Sequence, residues 1–389
     1  MKAIASSLVL LPALLLTGCP ESNCAAGEMC TWFGTGERGI SEAGTDRRDA
    51  KTFWVVDVAF GPDGLAYVLD WNNHRIVRVN GDDEIELISG VGGELGDGPE
   101  GPAATAQWNH PTDLDWQSDG TMILAAWHNS RVAAFDPSLS TMEFIAGTGG
   151  RDFAGDGGPA VDAVLDLPCG IVVDDQDNIF LADMANQRIR VIGTDGIIDT
   201  VAGTGAHGFN GDGPALDTML ASPALQRAEP AFKMDEQDGV IYIADTHNGR
   251  VRAFDVDAGT ITTVAGMGET PPDSGNGTAC TSGCGYGGDG GPATEAMLNY
   301  PADVAVGDDG TLYIADGDNH CIRAVDPDDG TISTFAGICG QQTAIEDSPD
   351  GTLATEAGLN SPFGVEVGPD GAVYISDTYN SVVRRVEPL

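Results

Sequence analysis

The 389-residue sequence predicts an all-β fold: a six-bladed β-propeller of four-stranded antiparallel blades, its ring closed by an N-terminal strand that completes the last blade. Three observations carry this expectation. A strand-turn-strand phrase recurs six times, an apolar run ending in a tight polar turn precedes each copy at a fixed offset, and the sixth copy stops one strand short. Short strands repeated at a long period cannot bury their faces alone, but they can when stacked around an axis.

The phrases are "YVLDWNNHRIVRV" (67–79), "ILAAWHNSRVAAF" (123–135), "FLADMANQRIRVI" (180–192), "YIADTHNGRVRAF" (242–254), "YIADGDNHCIRAV" (313–325) and "YISDTYNSVVRRV" (374–386), spaced by about 56 to 71 residues. Fifteen residues before the turn position stands a proline in five copies (Pro111, Pro168, Pro230, Pro301 and Pro362), with Val55 in the first. Between these points lies another apolar run ending in "PDG" (62–64), "SDG" (118–120), "QDN" (176–178), "QDG" (237–239), "DDG" (308–310) or "PDG" (369–371). Asp-Gly supplies the positive backbone angles of a two-residue hairpin, so the two runs are expected as antiparallel neighbours. A further turn such as "DPDDGT" (326–331) leads into a fourth strand such as "TISTFAG" (331–337). The last copy ends at "RRVEPL", whereas "EMCTWFGTG" (28–36) reads as a fourth strand without a blade, so Glu28 to Phe33 is expected to close the ring.

The repeated phrases, with the joining stretch "AGTGGRDFAGDGGPAVDAVLDLPCGIVVD" (146–174), resemble bacterial NHL repeats over residues 28–389. That resemblance implies a six-bladed propeller. It leaves function open, because NHL propellers serve as binding platforms and, in some relatives, as lyases.

At the N-terminus, Lys2, an apolar stretch from Ala3 to Leu16 and "LTGC" ending at Cys19 resemble a bacterial lipoprotein signal. The resemblance implies a signal peptide over 1–18, lipidation of Cys19, a short tether over 19–27 and the propeller over 28–389. Pro20 stands where an inner-membrane retention signal often places Asp, which points to the outer membrane or cell surface, with the membrane contacted through the lipid alone.

Composition narrows the partners. With 18 Lys plus Arg against 60 Asp plus Glu, the formal charge is -42, and such a surface repels phosphate backbones, so nucleic acid is excluded as a partner. Eight cysteines in an exported chain point to disulfides: Cys24 with Cys30, Cys280 with Cys284 and Cys321 with Cys339, leaving Cys169 buried and unpaired. A monomer is expected.

Chain topology puts the turns after the second strands and the long glycine-rich loops on one face, the expected ligand face. Asp183, Asn186 and Arg188, with their equivalents Asp245, Asn248 and Arg250, read as turn architecture, the arginine bridging to a nearby carboxylate. Trp71 and Trp127 occupy the same position in adjacent blades, where their rings either form an exposed platform or pack against the neighbouring glycine loop, with His128, His247 and Tyr379 on the other turn tips. Thirteen residues before each turn position, the innermost strands carry Asp57, Asp113, Gly170, Phe232, Asp303 and Gly364. Three carboxylates converging on the channel would be relieved by a hard cation, so Ca²⁺ at Asp57, Asp113 and Asp303 is the candidate cofactor. The functional expectation is an envelope-anchored platform binding a protein, peptide or glycan. Its alternative is a metal-dependent lyase or lactonase-like enzyme with its site in the channel, although no catalytic residue can be assigned.

Overall fold

The computed structural model describes residues 24–136, 138–223, 230–268, 285–341 and 348–389. It is the expected propeller: six antiparallel sheets whose innermost strands touch in cyclic order, the sixth returning to the first. The innermost strands are Val55–Phe60, Pro111–Trp116, Pro168–Val173, Met234–Gln237, Pro301–Val306 and Gly364–Val367. Glu28–Phe33 completes the sixth sheet beside Val382–Val386, with Met29 opposite Val386 and Phe33 opposite Val383. Closure leaves no blade open between the chain ends.

The outer edges are covered as well. The segment entering each blade first runs along its outer strand, as the two-residue strands Gly101–Pro102, Gly158–Pro159, Gly213–Pro214 and Thr352–Leu353, and as single bridges at Asp46–Glu84 and Pro292–Thr331. Blades therefore have four strands plus an edge strip.

The hairpins between first and second strands differ from expectation in one respect with consequences at the channel. In five blades the loop is three residues long: Gly61 N–H donates to Leu65 O and Gly64 N–H to Gly61 O, with φ +74° at Gly64, and the same pair of bonds recurs at Gln117, Asp174, Gly307 and Gly368. Only in the fourth blade is it the two-residue loop, Asp238 and Gly239 at φ +55° and +81° between Gln237 and Val240. The fourth innermost strand is thereby one residue out of step with the other five.

Apolar side chains fill the spaces between blades, for example Val58, Val68 and Val77 of the first against Ala372, Tyr374 and Val383 of the sixth. Away from the channel, buried ion pairs lie within blades. The turn aspartates Asp183, Asp245 and Asp377 are fully buried, each accepting a backbone N–H from the entering strand and facing Arg190 at 3.4 Å, Arg252 at 3.1 Å and Arg384 at 3.1 Å. Arg190 and Arg252 continue to Asp156 (2.6 Å) and Asp212 (3.1 Å) of the glycine-rich loops, which fastens those loops to the blade. The bridging arginine thus lies seven residues after the aspartate in these blades, whereas in the first blade it is Arg75, five residues after Asp70 and 2.8 Å from it, as the sequence reading has it. Arg188 and Arg250, given that role in the sequence, instead donate to the carbonyls of Asn186 and Asn248 and stack on Phe153 and Phe209. In the second blade Ala126 and Ala133 replace both ions, and Asn129 Oδ1 accepts the Asn109 N–H that the aspartate would have taken. A lone buried ion would be costly, so both are absent together.

Candidate functional site

The propeller offers two places where polar chemistry converges: the central channel and the face carrying the turns after the second strands.

In the channel, equivalent positions are set by strand pairing. Asp57 pairs with Leu69, Asp113 with Ala125, Asp303 with Ala315 and Gly364 with Ser376, each opposite the residue before the turn position. In the fourth blade Ala244 N–H donates to Lys233 O, so Lys233 takes this level. Phe232, which the constant offset places here, is one residue early because the shorter hairpin shifts the strand. Asp57, Asp113 and Asp303 do come together, but the charge between them is the Lys233 ammonium: Nζ lies 3.0 Å from Asp57 and 3.5 Å from Asp303 and donates to Val56 O at 3.1 Å. The compensating cation, expected as Ca²⁺, is therefore supplied by the chain itself, and among the described residues no group of three His, Cys, Asp or Glu side chains could hold a metal ion.

Two residues further along, the next level carries Asp115, Asp235 and Glu366 on alternate blades, and both levels line a cavity of about 100 Å³. Most of these carboxylates staple one blade to the next. Asp113 accepts from Ile171 N–H (2.8 Å), Asp115 from Val173 N–H (2.6 Å), Asp235 from Val306 N–H (2.7 Å) and Asp303 from Val365 N–H (3.1 Å). Burial pushes Asp115, Asp235 and Asp303 up to about 7 and lifts Asp113 and Glu366 well above the usual carboxylate range, neighbouring carboxylates adding to the effect. Burial opposes the charge of Lys233, but Asp303, Asp57 and Asp113 outweigh it and hold the ammonium above lysine's ordinary value. The lower carboxylates and Lys233 had no separate signal in the sequence beyond position once the hairpin is counted correctly.

Ring side chains dominate the turn face. Trp71 and Trp127 are only 3% and 1% exposed, so they are not an exposed platform. They share the position after the turn residue with Met184, an apolar side chain that is likewise buried. The tips that do reach solvent are half-buried: Trp54, His110, His128, His247 and Tyr379. Contacts between rings run without a break from His207 through His247, Tyr300, Phe363, Tyr379, Trp54, Trp71 and Trp127 to His128, with centroid separations between 3.9 and 6.0 Å.

Neutral polar groups are set into this belt. His110 Nδ1 lies 3.0 Å from His128 Nδ1 and 2.8 Å from Asn109 Oδ1, and His110 Nε2 lies 3.1 Å from Asn72 Oδ1. Burial holds His110 down at about 3 and His128 at about 4, so both imidazoles are uncharged at neutral pH. His74 and His320 tie adjacent blades together, since each Nδ1 accepts a backbone N–H from the next blade, that of His110 at 3.3 Å and that of Ser361 at 3.0 Å.

Of the cysteines, Cys24–Cys30 and Cys321–Cys339 are disulfides, the second joining the third and fourth strands of the fifth blade. Cys280 and Cys284 lie outside the described residues, as does Cys19. Cys169 is free and buried, and burial pushes its thiol up to about 12, which leaves it inert at neutral pH.

Residues 133–222 and 211–326 match the family model described as Teneurin NHL domain, and the chain carries an NHL domain. Teneurin-1 of Caenorhabditis elegans is 29% identical over 362 residues, 86% of this chain but 12% of that protein. NHL repeat-containing protein 2 of Homo sapiens is 23% identical over 319 residues, 74% of this chain and 41% of that protein. The chain thus spans well under half the length of these relatives. Among solved structures, an auxiliary nutrient binding protein of Bacteroides thetaiotaomicron superposes with a TM-score of 0.60 at 15% identity, covering 92% of this chain and 75% of that one. A structural genomics protein of unknown function from the same organism gives 0.64 at 16% identity, with the same coverage. At such identities the likeness is one of fold.

Proposed function

We propose that this NHL propeller is an envelope-anchored binding protein that presents its turn face to a protein, peptide or glycan. The observation that carries the reading is the belt of ring contacts around that face, half-buried at Trp54, His128, His247 and Tyr379 and set with uncharged imidazole and amide groups. Faces of this composition combine apolar contact area with a few orienting hydrogen bonds, which is the make-up of ligand sites. The anchor would be the lipid on Cys19, with the rigid ring holding the face away from the membrane. One fold neighbour carries the description auxiliary nutrient binding protein, a role compatible with this reading.

The lyase or lactonase-like alternative has less to draw on, because the channel carboxylates are engaged with Lys233 and with the N–H groups of neighbouring blades. The test is native mass spectrometry of the purified chain after exposure to pooled peptides and oligosaccharides. Retained ligand should be lost in Tyr379→Ala and kept in Trp116→Ala, which alters the opposite end of the channel. The reverse pattern would move the site to the channel.

A further inference from the structure

We infer that the ligand of the turn face is a neutral saccharide. The inference rests on the turn-face reading and deepens it by naming, of the ligands considered there, the one whose chemistry the face matches.

Electrostatics bears first on the charge of the ligand. A chain of net charge -42 repels anions at long range, and arginines beside the belt are paired, Arg75 with Asp70 at 2.8 Å and Arg151 with Asp166 at 2.5 Å, while Arg38 lies over Phe53 and Trp54. Anionic ligands are therefore disfavoured.

Main-chain recognition is the second consideration. One mode of peptide recognition adds a strand to a free sheet edge, and in this ring each outer strand is partly covered by an edge strip and the last blade is closed by Glu28–Phe33, which disfavours that mode. That leaves recognition by ring faces and side-chain hydrogen bonds.

Third, the chemistry that the face does offer suits a sugar. The C–H faces of a pyranose stack on half-buried rings, here Trp54 and Tyr379 at 4.7 Å from each other and His128 stacked on Trp127 at 3.9 Å. Hydroxyl groups both donate and accept, and so do the uncharged imidazoles of His110 and His128 and the amides of Asn72 and Asn109. Three buried indole N–H groups, those of Trp54, Trp71 and Trp127, have no acceptor among the described residues, although buried donors are ordinarily paired. The belt thus sets uncharged polar groups among flat apolar ring faces.

The probe is an array of neutral oligosaccharides, read beside sialylated and sulfated ones and beside immobilised peptides. Retention of neutral oligosaccharides, weakened about tenfold by Tyr379→Ala and by His128→Ala but little by Tyr379→Phe, is the expected result. Melting curves of each variant separate loss of binding from loss of fold. Retention of peptides alone, abolished by Tyr379→Ala, would overturn the saccharide inference and leave the turn face standing. Retention of anionic glycans alone, or of nothing, would overturn it too. Sugar binding that survives both turn-face variants and disappears in Trp116→Ala would overturn the turn-face reading itself.

Discussion

Single buried charges are where this fold is most exposed to substitution. Asp245 and Arg252 are both fully buried and 3.1 Å apart, so Arg252→Ala is expected to cost about 3–5 kcal/mol by leaving the carboxylate unpaired. Removing both, Asp245→Ala with Arg252→Ala, should cost clearly less than the sum, as the second blade already shows with Ala126 and Ala133. Urea unfolding of the two single variants and the double variant checks the cycle. Lys233→Met should likewise destabilise the ring at pH 7, because Asp57 and Asp303 lose their counter-charge. The loss should shrink at pH 5, where Asp303, held at about 7, accepts a proton, and thermal melts at the two values read it. That lysine also marks a limit of the sequence. "QDG" in the fourth blade resembles "PDG" elsewhere, and nothing in those letters says that its hairpin is one residue shorter. The arginine at plus seven was readable: Arg190, Arg252, Arg323 and Arg384 recur in four copies, the copy with Ala126 has neither ion, and the first copy, with Val77 there, pairs Asp70 with Arg75.

At the scale of the element, the N-terminal strand decides whether the ring is whole. Phe33 is fully buried opposite Val383 and beside Ala50, Val55 and Tyr374 of the interface between the sixth and first blades. Phe33→Ala should cost about 3–5 kcal/mol in urea unfolding, the usual range for emptying a buried phenylalanine site. A loss below about 1 kcal/mol would mean that the strand contributes little to closure. The closing strand was legible because the sixth copy lacked one strand and the N-terminus had one to spare. The edge strips were not, since two residues such as Gly158–Pro159 carry no periodicity by which a strand is recognised. Likewise, Trp71 and Trp127 looked like exposed tips, yet the same position holds Met184, Thr246, Gly317 and Thr378, all buried. A position that is apolar or small in nearly every copy faces the interior.

For the whole molecule, buried carboxylates make stability depend on pH in a definite direction. Asp115, Asp235 and Asp303 in the channel and Asp316 in the fifth blade are held at about 7 in the folded chain, above the ordinary carboxylate value, chiefly by burial. Groups raised in this way contribute stability that is complete at acid pH and is lost as pH rises through about 7. His110 and His128 act oppositely, contributing stability that is lost as pH falls below about 6.5, so they do not oppose the trend above that value. The melting temperature should therefore fall between pH 6.5 and pH 8 by roughly a few degrees. A flat profile over that window would show that these carboxylates are ionised throughout.

Fold and function were unequally legible for a physical reason. Six copies average out local variation and expose the architecture, while a site is built from the departures between copies, whose neighbours only the folded ring reveals. Ligand binding at the turn face is tested most directly by hydrogen exchange of the full chain with and without a saccharide retained on the array. Exchange should slow at residues 53–54, 72–74, 109–110, 127–128 and 378–380, with residues 60–64 and 116–121 at the opposite end unchanged. Protection confined to the opposite end, or spread evenly over all six blades, would contradict a turn-face site.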